Sequence, residues 1–247
     1  MGHWYTKDGK SMHFIVGKNG KERATTLRDA RKLDLVPSVT EILNLLNKPA
    51  LTNWLVNQAY MSALTLPKNE GETIDDFKKR AEIDAKKESI EARDLGSEIH
   101  QNIENAFLGK PYTKHEKTVN SVIDYITELT GTNDFTPEVT FSSPAGYGGM
   151  IDLVGDNVVI DYKTKDFDDP EKVKGYDENC MQLSAYAHGI LMPDARKINI
   201  FISRNVPGLV AHHEWDVDYF DRFECLLKYW HITKQLDLAY VRDQQDS

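Results

Sequence analysis

Residues 148–165 read GGMIDLVGDNVVIDYKTK, two apolar runs either side of the turn pair Asp156-Asn157. Their β-branched content and bounding turn residues predict two strands, 149–154 and 158–162, joined as a hairpin. Asp152 falls in the first strand. Asp161 and Lys163 fall near the end of the second, two residues apart and therefore on one face. Pairing across the turn brings Asp152 towards Asp161, with the Lys163 ammonium beside them. Two neighbouring carboxylates repel, and an oxygen-seeking divalent cation such as Mg²⁺ or Mn²⁺ offsets that repulsion. Such a cation activates water and stabilises charge on a phosphate oxygen, while Lys163 orients the water and stabilises developing negative charge. The set suits phosphodiester hydrolysis. The competing reading, a surface salt bridge on an edge strand, fits poorly with neighbours as apolar as Met150, Ile151, Leu153, Val158, Val159 and Ile160.

The character of the chain changes near residue 133. Before it the pattern is mostly helical. The opening WYTKDGKSMHFIV predicts a hairpin around Asp8-Gly9, and Ser38 with Glu41 predicts a capping box starting a helix through Ile42, Leu43 and Leu46. Pro49 suits the first turn of a helix carrying Leu51, Trp54, Leu55 and Ala59. The dense mixed charges of residues 73–93 predict a solvated helix, followed by a separate helix with Leu95, Ile99, Ile103 and Phe107, and another from about Lys117 to Leu129 that stops at Gly131. After residue 133 come strands near 139–142, 149–154, 158–162, 197–203 and 209–215. A helix at 179–191 and a last helix with Val217, Phe220, Phe223, Leu227 and Trp230 on one stripe accompany them. The fold class this predicts is α+β: a small mixed sheet flanked by helices, with a helical N-terminal lobe. The adjacent His212 and His213 point to opposite faces of a strand and cannot chelate one ion together.

The ordered pattern Gly149-x-x-Asp152, then Asp161-x-Lys163, resembles the PD-(D/E)xK nuclease superfamily. Two flanking signals are similar to its RecB-like exonuclease branch. Upstream, Arg93-Asp94-Leu95-Gly96-Ser97-Glu98-Ile99-His100 resembles the G-x-x-x-H motif; downstream, Gln182-Leu183-Ser184-Ala185-Tyr186 matches the Q-x-x-x-Y helix. The resemblance covers roughly residues 93–216 and implies an α/β/α, restriction-endonuclease-like core at 93–247, with a hairpin and helical lobe at 1–92 packed into one compact unit. It implies a metal-dependent DNA exonuclease that leaves 5′-phosphate products, similar to enzymes encoded by phages and to those of mitochondrial genome maintenance. By that resemblance Asp152, Asp161 and Lys163 are catalytic, and one or two Mg²⁺ or Mn²⁺ ions are held by His100, Asp152, Asp161 and the carbonyl of Tyr162. Gln182 and Tyr186 stand beside the DNA backbone, and Glu138 stands where an additional acid occurs. Glu138 reads equally as an ordinary strand-end charge, and Lys165 as either a phosphate contact or a solvated lysine.

Composition bounds the rest. The chain has 247 residues, with 30 Lys+Arg against 39 Asp+Glu, a formal charge of −9 that argues against a uniformly basic nucleic-acid coat. At 40% hydrophobic and 28% charged it can bury a core. Two cysteines are too few for a disulfide scaffold or for the four-cysteine iron–sulfur cluster of some branches, so no cluster is expected. No run approaches the roughly 20 apolar residues of a membrane span, and the first residues lack a signal-peptide core. The expected partner is DNA, single- or double-stranded and engaged at an end, with no membrane; the expected setting is the cytoplasm, or a host's cytoplasm for a phage-encoded protein, in recombination or repair. Two rivals stand beside the exonuclease: a nuclease-fold DNA-binding module without turnover, and a structure-specific endonuclease.

Overall fold

The computed structural model describes residues 2–234. In chain order the elements are β1 (Trp4–Tyr5), β2 (Phe14–Val16), β3 (Glu22–Ala24), α1 (Leu27–Leu33), β4 (Val36–Pro37), α2 (Val39–Leu43), α3 (Pro49–Thr65), α4 (Ile74–Phe107) and α5 (Glu116–Thr130). Then come β5 (Thr136–Ser143), β6 (Tyr147–Gly155), β7 (Val158–Lys165), a 3₁₀ turn (Pro170–Lys172), α6 (Asp177–Gly189), β8 (Arg196–Ser203), β9 (Val210–Trp215) and α7 (Phe220–Lys234). The chain groups into two compact units: residues through Leu45 together with those from His100 onward, and Leu46–Ile99. No helix among the described residues is long and apolar enough to cross a membrane.

The first unit is built on a five-stranded mixed sheet in the order β5-β6-β7-β8-β9, antiparallel except for the parallel pair β7·β8. In-register partners share a face, so Asp161, Asn199 and His213 lie on one side of the sheet. Helix α6 covers that side: Gln182 reaches Asp161 from it, and Cys180, Leu183, Ser184, Ala185 and Ala187 are fully buried. Residues 180–187 are buried on every side of the helix; α2 and α7 also pack against α6. Helix α5 lies on the opposite side, where the Tyr125 hydroxyl meets His212 Nδ1 at 2.8 Å. The two adjacent histidines therefore do face opposite ways. The fold is a mixed α+β arrangement with helices on both sides of the sheet.

Several expected boundaries shift. The predicted opening hairpin breaks in two: Tyr5 still bridges Ser11 around the Asp8-Gly9 turn, but Trp4–Tyr5 pair with Val36–Pro37, and Phe14–Val16 pair with Glu22–Ala24. The second hairpin turns at Asn19-Gly20, where Gly20 takes φ 73, the conformation such a dipeptide favours. Ser38 does cap α2, its Oγ accepting the Glu41 N–H at 3.0 Å, but the helix ends at Leu43, before Leu46. The two helices expected on either side of residue 94 are one continuous helix, α4, because nothing between Arg93 and Leu95 terminates it. Val217 lies ahead of α7 and is exposed, so the buried stripe of that helix is Phe223, Leu227 and Trp230, with His231 buried beside them.

In the second unit α3 and the first part of α4 run antiparallel, as the bonds Ser62–Asp84 (2.9 Å) and Gln58–Glu88 (2.9 Å) require. Arg80 closes the connection, binding Glu72 through two nitrogens at 2.9 and 2.8 Å and the Pro67 carbonyl at 2.7 Å.

Candidate active site

The hairpin of β6 and β7 turns at Asp156-Asn157 and pairs Gly155 with Val158, Val154 with Val159 and Leu153 with Ile160. The ladder then stops. Instead of meeting a backbone carbonyl, the Tyr162 N–H donates to Asp152 Oδ2 at 2.6 Å. The two strands fork at this point, and Asp152 fills the fork. On the other flank the β5·β6 register, Pro137 with Leu153 and Val139 with Ile151, sets Glu138 opposite Asp152. Glu138 has φ 49, a left-handed backbone that interrupts the ladder there. Its carboxyl is raised above the ordinary range by burial, with the charge of Glu104 adding to it.

Asp161 is held on all sides. Lys163 Nζ lies 2.8 Å from its Oδ2, Asn199 Nδ2 donates to the same oxygen at 3.0 Å, and Gln182 Nε2 donates to Oδ1 at 2.9 Å. Gln182 also accepts from Lys163 Nζ at 2.9 Å and donates to the Tyr186 hydroxyl at 2.8 Å. Asn199 is in turn fixed by Trp215, whose indole N–H donates to its Oδ1 at 2.9 Å. The result is a buried polar network satisfied at each member, which specifies one arrangement of the carboxylate and ammonium.

Electrostatics separates the roles. Burial, and then the charge of Asp161, push Asp152 up to about 8. Burial alone would lower the Lys163 ammonium, but Asp161 and Asp152 more than reverse this and raise it, so the side chain stays a cation. His100 projects from α4 with Nδ1 4.0 Å from Asp152 Oδ1 and its ring edge-on to Tyr162 at 5.3 Å. Burial lowers its imidazole to about 4, leaving a neutral ring with a lone pair to give. The hydroxyls of Tyr162 and Tyr186 are pushed well above the ordinary phenol range by burial.

Of the residues predicted from sequence, the structure brings together Asp152, Asp161, Lys163, His100, Tyr162, Gln182 and Tyr186, with Glu138 across the strand pair. Gln182 and Tyr186 are 6% and 4% exposed; Gln182 bonds Asp161 and Lys163, and Tyr186 bonds Gln182. Lys165 stands outside this network, its Nζ 5.1 Å from the centre of the Phe201 ring. Asn199 and Trp215 are additions that the motif reading did not contain. A signal existed: Asn199 is the one amide inside the apolar run Ile198–Ile202, where an unpartnered polar side chain is costly.

Among the described residues no three His, Cys, Asp or Glu side chains are gathered closely enough to hold a metal ion. The donor chemistry nonetheless fits a hard divalent cation: the carboxylates of Asp152 and Asp161 with the neutral imidazole of His100 at their edge.

No family model and no curated protein matches this chain. A solved structure described as "Crystal structure of SSO0001" is similar over 77% of this chain and 88% of that chain, at 16% identity and a TM-score of 0.35. A likeness at that level identifies neither family nor function.

Proposed function

We propose that the chain is a divalent-metal-dependent deoxyribonuclease of the PD-(D/E)xK, RecB-like type, acting on DNA from an end. The observation that carries this reading is the meeting of Asp152, Asp161 and Lys163 at the fork of β6 and β7, with His100 at the edge and Gln182 tying Lys163 to Asp161. The sheet with helices on both sides is compatible with a restriction-endonuclease-like core.

Asp152, Asp161, His100 and the Tyr162 carbonyl would hold one or two Mg²⁺ or Mn²⁺ ions. When bound, the cation supplies a water of lowered pKa and neutralises charge on the scissile phosphate. Lys163, kept protonated by the two carboxylates, orients the attacking water and stabilises negative charge as it develops on phosphate oxygens. Gln182 shares Lys163 with Asp161, because its Oε1 accepts one hydrogen bond from the ammonium. Asn199 and Gln182 hold the Asp161 carboxylate from two directions, which keeps its geometry constant through turnover. The 3′ oxygen departs and the phosphate stays on the 5′ end of the released product. The free thiols Cys180 and Cys225 suit a reducing, cytoplasmic setting.

The test is cleavage of the same DNA as linear duplex, linear single strand and covalently closed circle, with Mn²⁺ and with EDTA. The reading expects metal-dependent loss of the linear forms and an untouched circle. Cutting of the circle would turn the assignment to an endonuclease; binding without cleavage of any form would turn it to a DNA-holding module.

A further inference from the structure

A second concentration of charge lies in the N-terminal segment. The β2–β3 hairpin and α1 enclose a cleft of about 610 Å³ lined by Lys18, Asn19, Arg23, Arg28, Asp29 and Lys32. The only carboxylate in this lining is already committed. Arg23 grips Asp29 through two nitrogens at 2.6 and 2.8 Å, and the Thr26 N–H and hydroxyl reach the same group at 3.0 and 2.6 Å. Those bonds hold the Asp29 carboxyl far below the usual range and tie the hairpin to the start of α1. Lys18, Arg28 and Lys32 enter no ion pair with any described residue.

Arg28 and Lys32 are i,i+4 neighbours on one helix, where like charges repel. Lys18 is presented from a turn fixed by Gly17 N–H to Lys21 O at 2.8 Å and Gly20 N–H to Gly17 O at 2.9 Å, so it is held at the rim by its backbone. The cleft is far larger than one phosphate ion, and three cations with no ion pair to a described residue suit successive phosphates along a chain. The chain as a whole carries −9, so this local surplus does not follow from composition. Two lysines elsewhere in the chain are engaged, Lys163 with Asp161 and Lys172 with Asp169 at 3.0 Å.

We propose that this cleft binds the sugar-phosphate backbone of a nucleic-acid strand outside the scissile site. The inference rests on the nuclease reading for its partner and deepens it, adding a cationic foothold for the strand.

The test is equilibrium binding of a labelled oligonucleotide to the full chain in EDTA, across a salt series, for wild type and two triple variants. One carries Lys18→Glu, Arg28→Glu and Lys32→Glu; the other replaces the same three residues by Gln, which removes charge without adding repulsion. Each lost phosphate contact removes about 0.7–0.9 from the slope of log affinity against log salt, so both variants should show a slope shallower by about 2 to 3. Affinity at low salt should fall by about tenfold or more. Unchanged affinity and slope in both variants, or a wild type that holds no oligonucleotide, would overturn the cleft. A wild type that binds through these residues and does not cut with Mn²⁺ would uphold the cleft and sink the nuclease reading instead.

Discussion

Asp152 Oδ2 accepts the backbone N–H of Tyr162 at 2.6 Å, immediately beyond the last rung between β6 and β7. A side chain thus completes a bond that the sheet itself would otherwise make, and a carboxyl group is placed in the interior as a consequence. The site's acidity and part of its stability follow from that placement.

The carboxyl of Asp152 titrates near about 8 in the folded chain, against about 3.9 for an unfolded aspartate. Between those values the folded chain keeps a proton that the unfolded chain has released, so stability falls as pH rises. The contribution is fully present below about pH 4 and is lost as pH rises through about 8. Asp152→Asn preserves an acceptor for Tyr162 and removes the titration. Thermal melts in EDTA should show the variant gaining on wild type steadily from pH 5 to pH 8; parallel curves would contradict the placement.

A divalent cation acts in the opposite direction, because it favours the deprotonated carboxylate. Mn²⁺ should raise the melting temperature of wild type more at pH 8 than at pH 5, and should do little for Asp152→Asn. Lys163→Ala removes an ammonium that competes for Asp161, and should bind Mn²⁺ more tightly than wild type. Calorimetric titration checks this directly; weaker binding in Lys163→Ala would contradict it.

Asn199 is a positioning residue for Asp161. Asn199→Ala leaves one carboxylate oxygen without its amide donor and should cost about 1–3 kcal/mol in denaturant unfolding. It should also lower kcat with KM nearly unchanged. Trp215→Phe, which frees Asn199 Oδ1, should produce the same split at smaller amplitude. Loss of stability with wild-type kcat in both variants would reduce the pair to a structural role.

Gly149 and Gly189 admit the Phe141 ring. A Cβ on Gly149 would stand 2.8 Å from Phe141 Cε1 and 2.9 Å from Tyr186 Cε1, and one on Gly189 would overlap the ring. Gly189→Ala should therefore destabilise by about 1–3 kcal/mol or more, and Phe141→Leu in the same chain should recover part of the loss. A neutral Gly189→Ala in urea unfolding would show that this side of β6 is packed otherwise.

The strands around residues 148–165 were legible because β-branched content, the Asp156-Asn157 turn and the spacing of Asp161 and Lys163 all agree, and agreement across levels marks a well-specified segment. The N-terminal hairpin was misjudged for a related reason: two turn dipeptides, Asp8-Gly9 and Asn19-Gly20, compete for one short strand, and tertiary pairing of Trp4–Tyr5 with Val36–Pro37 decides between them. The α4 boundary was invisible because charged residues supply no stop. Asn199 and Trp215 escaped notice since their roles depend on strand order: only the parallel pairing of β7 with β8 places Asn199 beside Asp161, and no local pattern encodes that pairing.

The most direct test of the central claim is single-turnover hydrolysis of end-labelled linear DNA by wild type and Lys163→Ala, each with Mn²⁺, Mg²⁺ or EDTA. The account predicts shortening by wild type only with metal, and a loss of at least about a hundredfold in Lys163→Ala while that variant still binds Mn²⁺. Equal cleavage by the two proteins, or cleavage by wild type in EDTA, would contradict it.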